Sequence, residues 1–255
     1  RNLWLVYYGV NNDTEWYVGA SPDKPTDTKT LIYTYNPSYD DANSQLNESS
    51  GQFALAYTAI ENANLAIAGL RKYGSVGSNA GMRYLLGEAL VLRALFYHDL
   101  IKAWGDVPAR FEPIGESGDV IKAKSDRDVI YQQIIGDLEE AVNYVYWPNE
   151  SGKTGLTTRV NKAFAYGLLA RVCLSAAGYS QRPDEGQTGT GSIGSNRRSR
   201  LTESGQVWGD NILYTKALNA CKEVIAKENS CVGLEGTVEE LWRDMMKREV
   251  AAGGA

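Results

Sequence analysis

Gly152-Lys153-Thr154 carries the closing residues of a phosphate-binding loop. Such a loop also needs a glycine five residues before that Gly, so that backbone N–H groups can wrap the phosphate. Position 147 is Trp147, and Pro148 removes a further donor. The segment therefore reads as a helix-connecting turn. His98 is the single histidine of the chain, so any Ser-His or Cys-His mechanism depends on it. It lies within a helical run, and no Gly-x-Ser-x-Gly turn supplies a nucleophile. A structural, hydrogen-bonding histidine is the expectation. Cys173, Cys221 and Cys231 make an odd count at spacings that match no zinc site. Cys173 is expected to be buried, and a Cys221–Cys231 bridge is not favoured. No metal and no cofactor follow from these residues.

The aromatics carry more. Tyr (16) and Trp (6) far outnumber Phe (4). Aromatics with a polar handle suit wet, half-exposed contact surfaces. A sugar ring presents apolar C–H faces that stack on Trp or Tyr, while Asn, Asp and Arg bond its hydroxyls. Trp16-Tyr17 directly follow Asn11-Asn12-Asp13-Thr14-Glu15, which places both components in one loop. Candidate ligand-binding residues are Trp16, Tyr17, Asn11, Asn12, Asp13 and Tyr39. The plain alternative is that Trp16 packs its loop onto the rest of the fold. Arg197, Arg198 and Arg200 cluster in a second polar segment; the plain reading is a solvated loop, and the sharper one is a contact for a carboxylate-bearing ligand or a partner protein.

The elements that position these residues are helices. Phe53, Tyr57, Ile60, Asn64, Ile67 and Leu70 step by three or four, one face of a helix. Gly74–Gly81 is a turn. A second helix is expected from about Met82 to Trp104, with Leu85, Leu86, Ala89, Leu92, Phe96 and Leu100 on its buried side. Gly105 stops it and Pro108 prevents resumption. Two long helices on a short turn read as an antiparallel hairpin. Ser125 with Asp128 reads as the next cap. That helix runs to about Val145 on Ile130, Ile134, Leu138 and Val142. Thr158 is expected to cap a helix from Arg159 to about Gly178, whose alanines permit close packing. Residues 179–210 form a long polar insertion, functional or mobile. A helix over Asn211–Lys227 and another, capped by Thr237 with Glu240 and running through Met246, complete the series. Residues 1–52 are loop-rich and aromatic, and belong to the same domain as the helical array over 53–250. The predicted fold is all-α, with tetratricopeptide-like helix pairs in a solenoid and long aromatic-rich loops.

Composition excludes other classes. The formal net charge is −5, which carries no signature for nucleic acid. No run approaches the ~18 apolar residues of a membrane span. The chain opens at Arg1 without an initiator Met, and Ala251–Ala255 follow an amphipathic stretch, so it reads as a fragment at both ends.

A series of motifs in order adds a resemblance. Tyr57-Thr58-Ala59-Ile60-Glu61-Asn62-Ala63-Asn64, Gly87-Glu88-Ala89-Leu90-Val91-Leu92-Arg93-Ala94 and Trp104-Gly105-Asp106-Val107-Pro108 resemble successive hallmarks of the SusD/RagB family. Arg159-Val160-Asn161-Lys162-Ala163 with Ala170-Arg171-Val172 resembles its next repeat. Tyr214-Thr215-Lys216-Ala217 and Leu241-Trp242-Arg243 also fit in order. The resemblance implies an all-α, tetratricopeptide-like protein of Bacteroidetes, lipid-anchored on the outer face of the outer membrane. There it would lid a TonB-dependent, SusC-like β-barrel transporter and capture oligosaccharides, or in some members peptides. It implies binding rather than catalysis, with the C-terminal half of the family and the lipid anchor lying outside this chain. Asp13-Thr14-Glu15-Trp16 is similar to the family segment where an acidic turn precedes ligand-facing aromatics, which raises Trp16 and Tyr17 as candidates. Trp104–Pro108 is implied to be a structural helix ending, and Glu88 and Arg93 to be packing or ion-pair residues. Two rival readings are a peptide-binding member, in which Arg197–Arg200 would matter more than Trp16, and a protein-interaction scaffold without a small ligand.

Overall fold

A computed structural model describes residues 51–118, 121–155, 158–177, 210–233, 237 and 239–240. The chain divides into two compact units, residues 1–59 and 60–255. The described part of the first unit is residues 51–59, which open helix α1 (Gln52–Tyr73). Phe53 and Tyr57, one turn apart, meet there with ring centroids 4.9 Å apart, the contact that i, i+4 spacing produces.

In the second unit α1 continues and, among the described residues, five more helices follow: α2 (Ala80–Trp104), α3 (Ile114–Ser117), α4 (Arg127–Ala141), α5 (Lys162–Ala177) and α6 (Asp210–Ile225). No strand forms among the described residues; the backbone bridges Val107 to Ser125 and Glu228 to Val232 are isolated. The fold is all-α and tetratricopeptide-like, a succession in which α2 packs on α4, α4 on α5 and α5 on α6.

Helix α2 is the centre of the core. Leu86, Leu90, Val91, Ala94, Tyr97, Leu100 and Ile101 are all buried. A single-face reading misses this, because an apolar circumference marks a helix enclosed by neighbours. Leu85, Leu92 and Phe96, expected inside, are half-buried. The broad packing of α2 is with α4, not with α1 across the short turn. Helix α1 reaches α2 and α4 through long side chains: Asn64 bonds Arg93, and Arg71 pairs with Glu140 at 2.6 Å. Gly87 explains the closeness of α2 to the end of α4. A Cβ at Gly87 would lie 2.9 Å from both Tyr144 Cβ and Val145 Cγ1.

The caps correct several boundaries. Asn79 caps α2, its side chain accepting the Met82 N–H at 3.2 Å. Asp126, not Ser125, caps α4 by accepting the Asp128 N–H at 2.8 Å; Ser125 instead donates its N–H to Val107 O. Helix α4 ends at Ala141, and the chain tightens through Tyr144 and Val145. Helix α5 begins at Lys162 rather than Arg159, because Asn161 accepts the Phe164 N–H at 2.9 Å and Arg159 is drawn away to Glu88. Helix α6 ends at Ile225 and a compact turn through Val232 follows. Thr237 and Glu240 form the expected cap, the Thr237 Oγ1 accepting the Glu240 N–H and donating to Glu240 Oε2, each at 3.1 Å. The run expected beyond it, through Met246, and the 179–209 insertion lie outside the described residues.

Candidate functional site

Asn11, Asn12, Asp13, Trp16, Tyr17 and Tyr39 lie outside the described residues, as do Arg197, Arg198 and Arg200. What the structure gives is the frame of the helical array itself, and one aromatic surface that sequence reasoning missed.

The frame is built on Arg93, whose side chain is only 3% exposed. Its Nε and Nη2 donate to the two carboxylate oxygens of Asp137, each at 2.8 Å. Its Nη1 donates to Asn64 Oδ1 at 2.9 Å and to the Phe111 carbonyl at 2.8 Å. Asn64 in turn donates to the carbonyls of Arg110 and Glu112. The Tyr97 hydroxyl bonds the Arg110 carbonyl and N–H, and the Ile114 N–H donates to Glu61. Side chains of α1 and α2 thus bind the backbone at 110, 111, 112 and 114. A buried ion pair gains little over an apolar pair unless its remaining donors are satisfied. Here they are, and the network fixes the path of an otherwise irregular connection. Burial keeps the Tyr97 hydroxyl well above the ordinary tyrosine range, so it stays protonated and can donate. Upstream, Gly105 ends α2 at φ +71°, with its N–H on Ile101 O at 2.9 Å. Asp106 accepts from both Nε and the backbone N–H of Arg127. The Trp104–Pro108 motif is structural, as its resemblance implied. Arg93 and Glu88 are likewise ion-pair residues, with Glu88 bound by Arg159 at 2.7 and 2.5 Å.

A second cluster lies where the 144–161 connection meets α2, α5 and α6. Tyr84 stacks on Tyr146 at 5.6 Å, and Trp147 stacks on Tyr166 at 5.9 Å with 29° between planes. Tyr84 is fully buried, its hydroxyl donating to Val160 O at 2.8 Å. Lys153 and Arg159 stand over its ring at 5.5 and 5.6 Å. Trp147 and Tyr166 are half-buried and reach the surface. Lys227 and Lys162 stand over the indole at 5.4 and 6.0 Å. Such contacts are worth ~0.5–1 kcal/mol when exposed. The backbone of Trp147 is held on both sides. Its N–H donates to Glu150 Oε2 at 2.6 Å, and its carbonyl accepts from Thr154 Oγ1 at 2.8 Å. Thr154 is itself buried. The Gly152-Lys153-Thr154 segment is therefore the turn expected, and its threonine serves that turn rather than a phosphate. The signal available in the sequence was Trp147 followed by Tyr166 one turn into the next helix.

His98 is 2% exposed, and among the described residues its Nδ1 finds no hydrogen-bond partner, which corrects the expectation of a hydrogen-bonding histidine at that nitrogen. Burial, with Lys102 and Arg171 nearby, pushes its pKa down to about 4. Cys173 is buried, and burial pushes its thiol up to about 12, so it is a core residue rather than a nucleophile. Cys221 and Cys231 are free. Among the described residues no group of three His, Cys, Asp or Glu side chains is placed to hold a metal. No helix among them is long and apolar enough to cross a membrane.

Comparison with known proteins supplies the family. A family model described as starch-binding, associating with outer membrane, matches residues 2–174. SusD-like protein P25 of Formosa agariphila is 26% identical over 141 residues, which make up 53% of this chain and 27% of that protein. A SusD-like protein from Bacteroides fragilis superposes with a TM-score of 0.62 at 19% identity, covering 97% of this chain and 39% of its own. A laminarin-binding SusD-like protein gives a TM-score of 0.62 at 18% identity, over 88% of this chain and 40% of its own. At those identities the two solved structures share the fold. This chain spans well under half the length of each of these relatives. Because the family model runs through more than half of its sequence, the chain belongs to the SusD-like family.

Proposed function

We propose that this chain is part of a cell-surface glycan-binding protein serving a TonB-dependent outer-membrane uptake complex. The observation that carries the reading is the family match across residues 2–174. That span includes the segment Asn11-Asn12-Asp13 with Trp16-Tyr17, and Tyr39. A relative of the same fold is named for laminarin binding. The work is binding rather than catalysis. Aromatic faces stack on the sugar, and the Asn and Asp side chains fix its hydroxyls. Each aromatic contact is worth about 0.5–1.5 kcal/mol by analogy with aromatic pairs. Several contacts, or closure against a SusC-like barrel, are needed for useful affinity. The helical array supplies the rigid scaffold and the transporter-facing surface, and a lipid anchor outside this chain holds the protein to the membrane.

The test is calorimetric titration of the full-length protein with neutral oligosaccharides, comparing wild type with Trp16→Ala and Tyr17→Ala. The expected result is about a twofold to tenfold loss of affinity with an unchanged melting temperature. A lowered melting temperature with intact binding assigns these aromatics to packing and overturns the site.

A further inference from the structure

We propose that the Trp147–Tyr166 surface is a second saccharide subsite, and that it takes sugars bearing a carboxylate or sulfate. The inference rests on the glycan-binding reading above. Three observations carry it.

First, the platform is preformed. Trp147 and Tyr166 are stacked, half-buried aromatics at the surface. The Trp147 backbone is fixed at both its N–H and its carbonyl within the 147–154 turn. Its neighbour Tyr146 is tied to the start of α5, its carbonyl accepting the Lys162 N–H at 2.7 Å. A rigid aromatic loses little entropy when a sugar face settles on it.

Second, two ammonium groups converge on one indole. Lys227 approaches from beyond the end of α6 and Lys162 from the first turn of α5, at 5.4 and 6.0 Å from the ring centroid. Neither lysine makes an ion pair with any described residue. Lys153 on the same turn makes none either. Arg159 differs, being fully engaged by Glu88.

Third, the nearby carboxylates do not pair with them. Glu150 accepts the Trp147 N–H, and burial first, then the nearby Glu223 carboxylate, raises the pKa of the Tyr166 hydroxyl. Two cations that stand over a half-buried indole and make no ion pair with a described residue match a ring that is apolar on one side and carries an anion at its edge. The sugar C–H face would rest on the indole while its carboxylate or sulfate bonds the two ammonium groups.

The experiment titrates the full-length protein with an oligogalacturonate and with a neutral oligosaccharide of equal length, at low and moderate salt. Wild type is compared with the Lys162→Gln/Lys227→Gln double variant and with Trp147→Ala. The lysines lie at the surface, so the double variant keeps the fold, as an unchanged melting temperature verifies. The expected result is about a fivefold to tenfold loss of oligogalacturonate affinity in the double variant, less than twofold for the neutral sugar, and a weaker salt dependence. Trp147→Ala is expected to weaken oligogalacturonate binding at least as much. Equal affinity of wild type and double variant for the acidic sugar overturns the subsite. So does wild-type binding of the neutral sugar alone, lost in Trp16→Ala, which leaves the glycan-binding reading standing. Failure of wild type to bind either sugar overturns both.

Discussion

Replacing His98 by leucine is expected to remove a defined part of the protein's sensitivity to acid. His98 is 2% exposed, its Nδ1 lacks a partner, and its folded pKa is about 4 against an ordinary value of 6.5. The folded state binds this proton less readily than the unfolded state. Stability from the neutral imidazole is therefore present above pH 6.5 and is lost as pH falls toward 4. A difference of 2.5 between the two values corresponds to about 3.4 kcal/mol in the limit of low pH. Between pH 7 and pH 5 the loss is about 1.8 kcal/mol. Asp99, the next residue, works against this: burial raises its carboxyl, so protonation there favours the folded state. The wild-type profile alone sums both effects, but Asp99 is common to wild type and variant and cancels in their difference. The assay is urea unfolding followed by circular dichroism at pH 7, 6 and 5. The expected result is that the stability of wild type relative to His98→Leu falls by about 1.8 kcal/mol from pH 7 to pH 5. At pH 7 the two are expected to lie close, because removing an unpartnered buried polar atom costs little. Parallel profiles would show that His98 gains a partner or reaches water, and would refute the reasoning.

Arg93→Met is expected to destabilise by about 3–5 kcal/mol, because it leaves the Asp137 carboxylate buried and uncompensated. Arg93→Met/Asp137→Leu is expected to recover much of that in urea titration, although the Phe111 carbonyl and Asn64 Oδ1 still lack the donor that Arg93 supplied. Gly87→Ala is expected to cost about 1–3 kcal/mol, since its Cβ meets Tyr144 and Val145 at 2.9 Å; thermal melting reads this directly. Gly105→Ala forces a Cβ to 2.6 Å from Arg127 Nη2 at positive φ, and a loss of at least about 1–2 kcal/mol is expected in the same assay.

Much of the fold was legible because helices announce themselves by period. The stepping of Ile130, Ile134, Leu138 and Val142 placed α4, and all four are buried. What sequence could not resolve was competition between neighbouring caps. Ser125 and Asp126 are both good caps, and the choice fell to Asp126 because Ser125 is engaged with Val107 across the connection. Thr158 lost to Asn161 for a similar reason: Arg159 is committed to Glu88, 71 residues away. The central position of α2 was hidden by its apolar circumference, which a search for one buried face underreads. Gly87 stood inside a quoted motif, yet its reason, close approach of α4's end, is a tertiary fact. The aromatic surface was missed because Tyr84, Tyr146, Trp147 and Tyr166 come from three separate segments, and no spacing rule joins them. Trp16 and Tyr17 rest on residue type and resemblance and Tyr39 on residue type alone, and all three lie outside the described residues.

The measurement that tests the central claim most directly is isolation of the full-length protein from its native membrane, followed by mass spectrometry of everything that accompanies it. The account predicts a TonB-dependent β-barrel transporter together with bound oligosaccharide. A barrel carrying mixed peptides, or isolation with neither barrel nor saccharide, would contradict it.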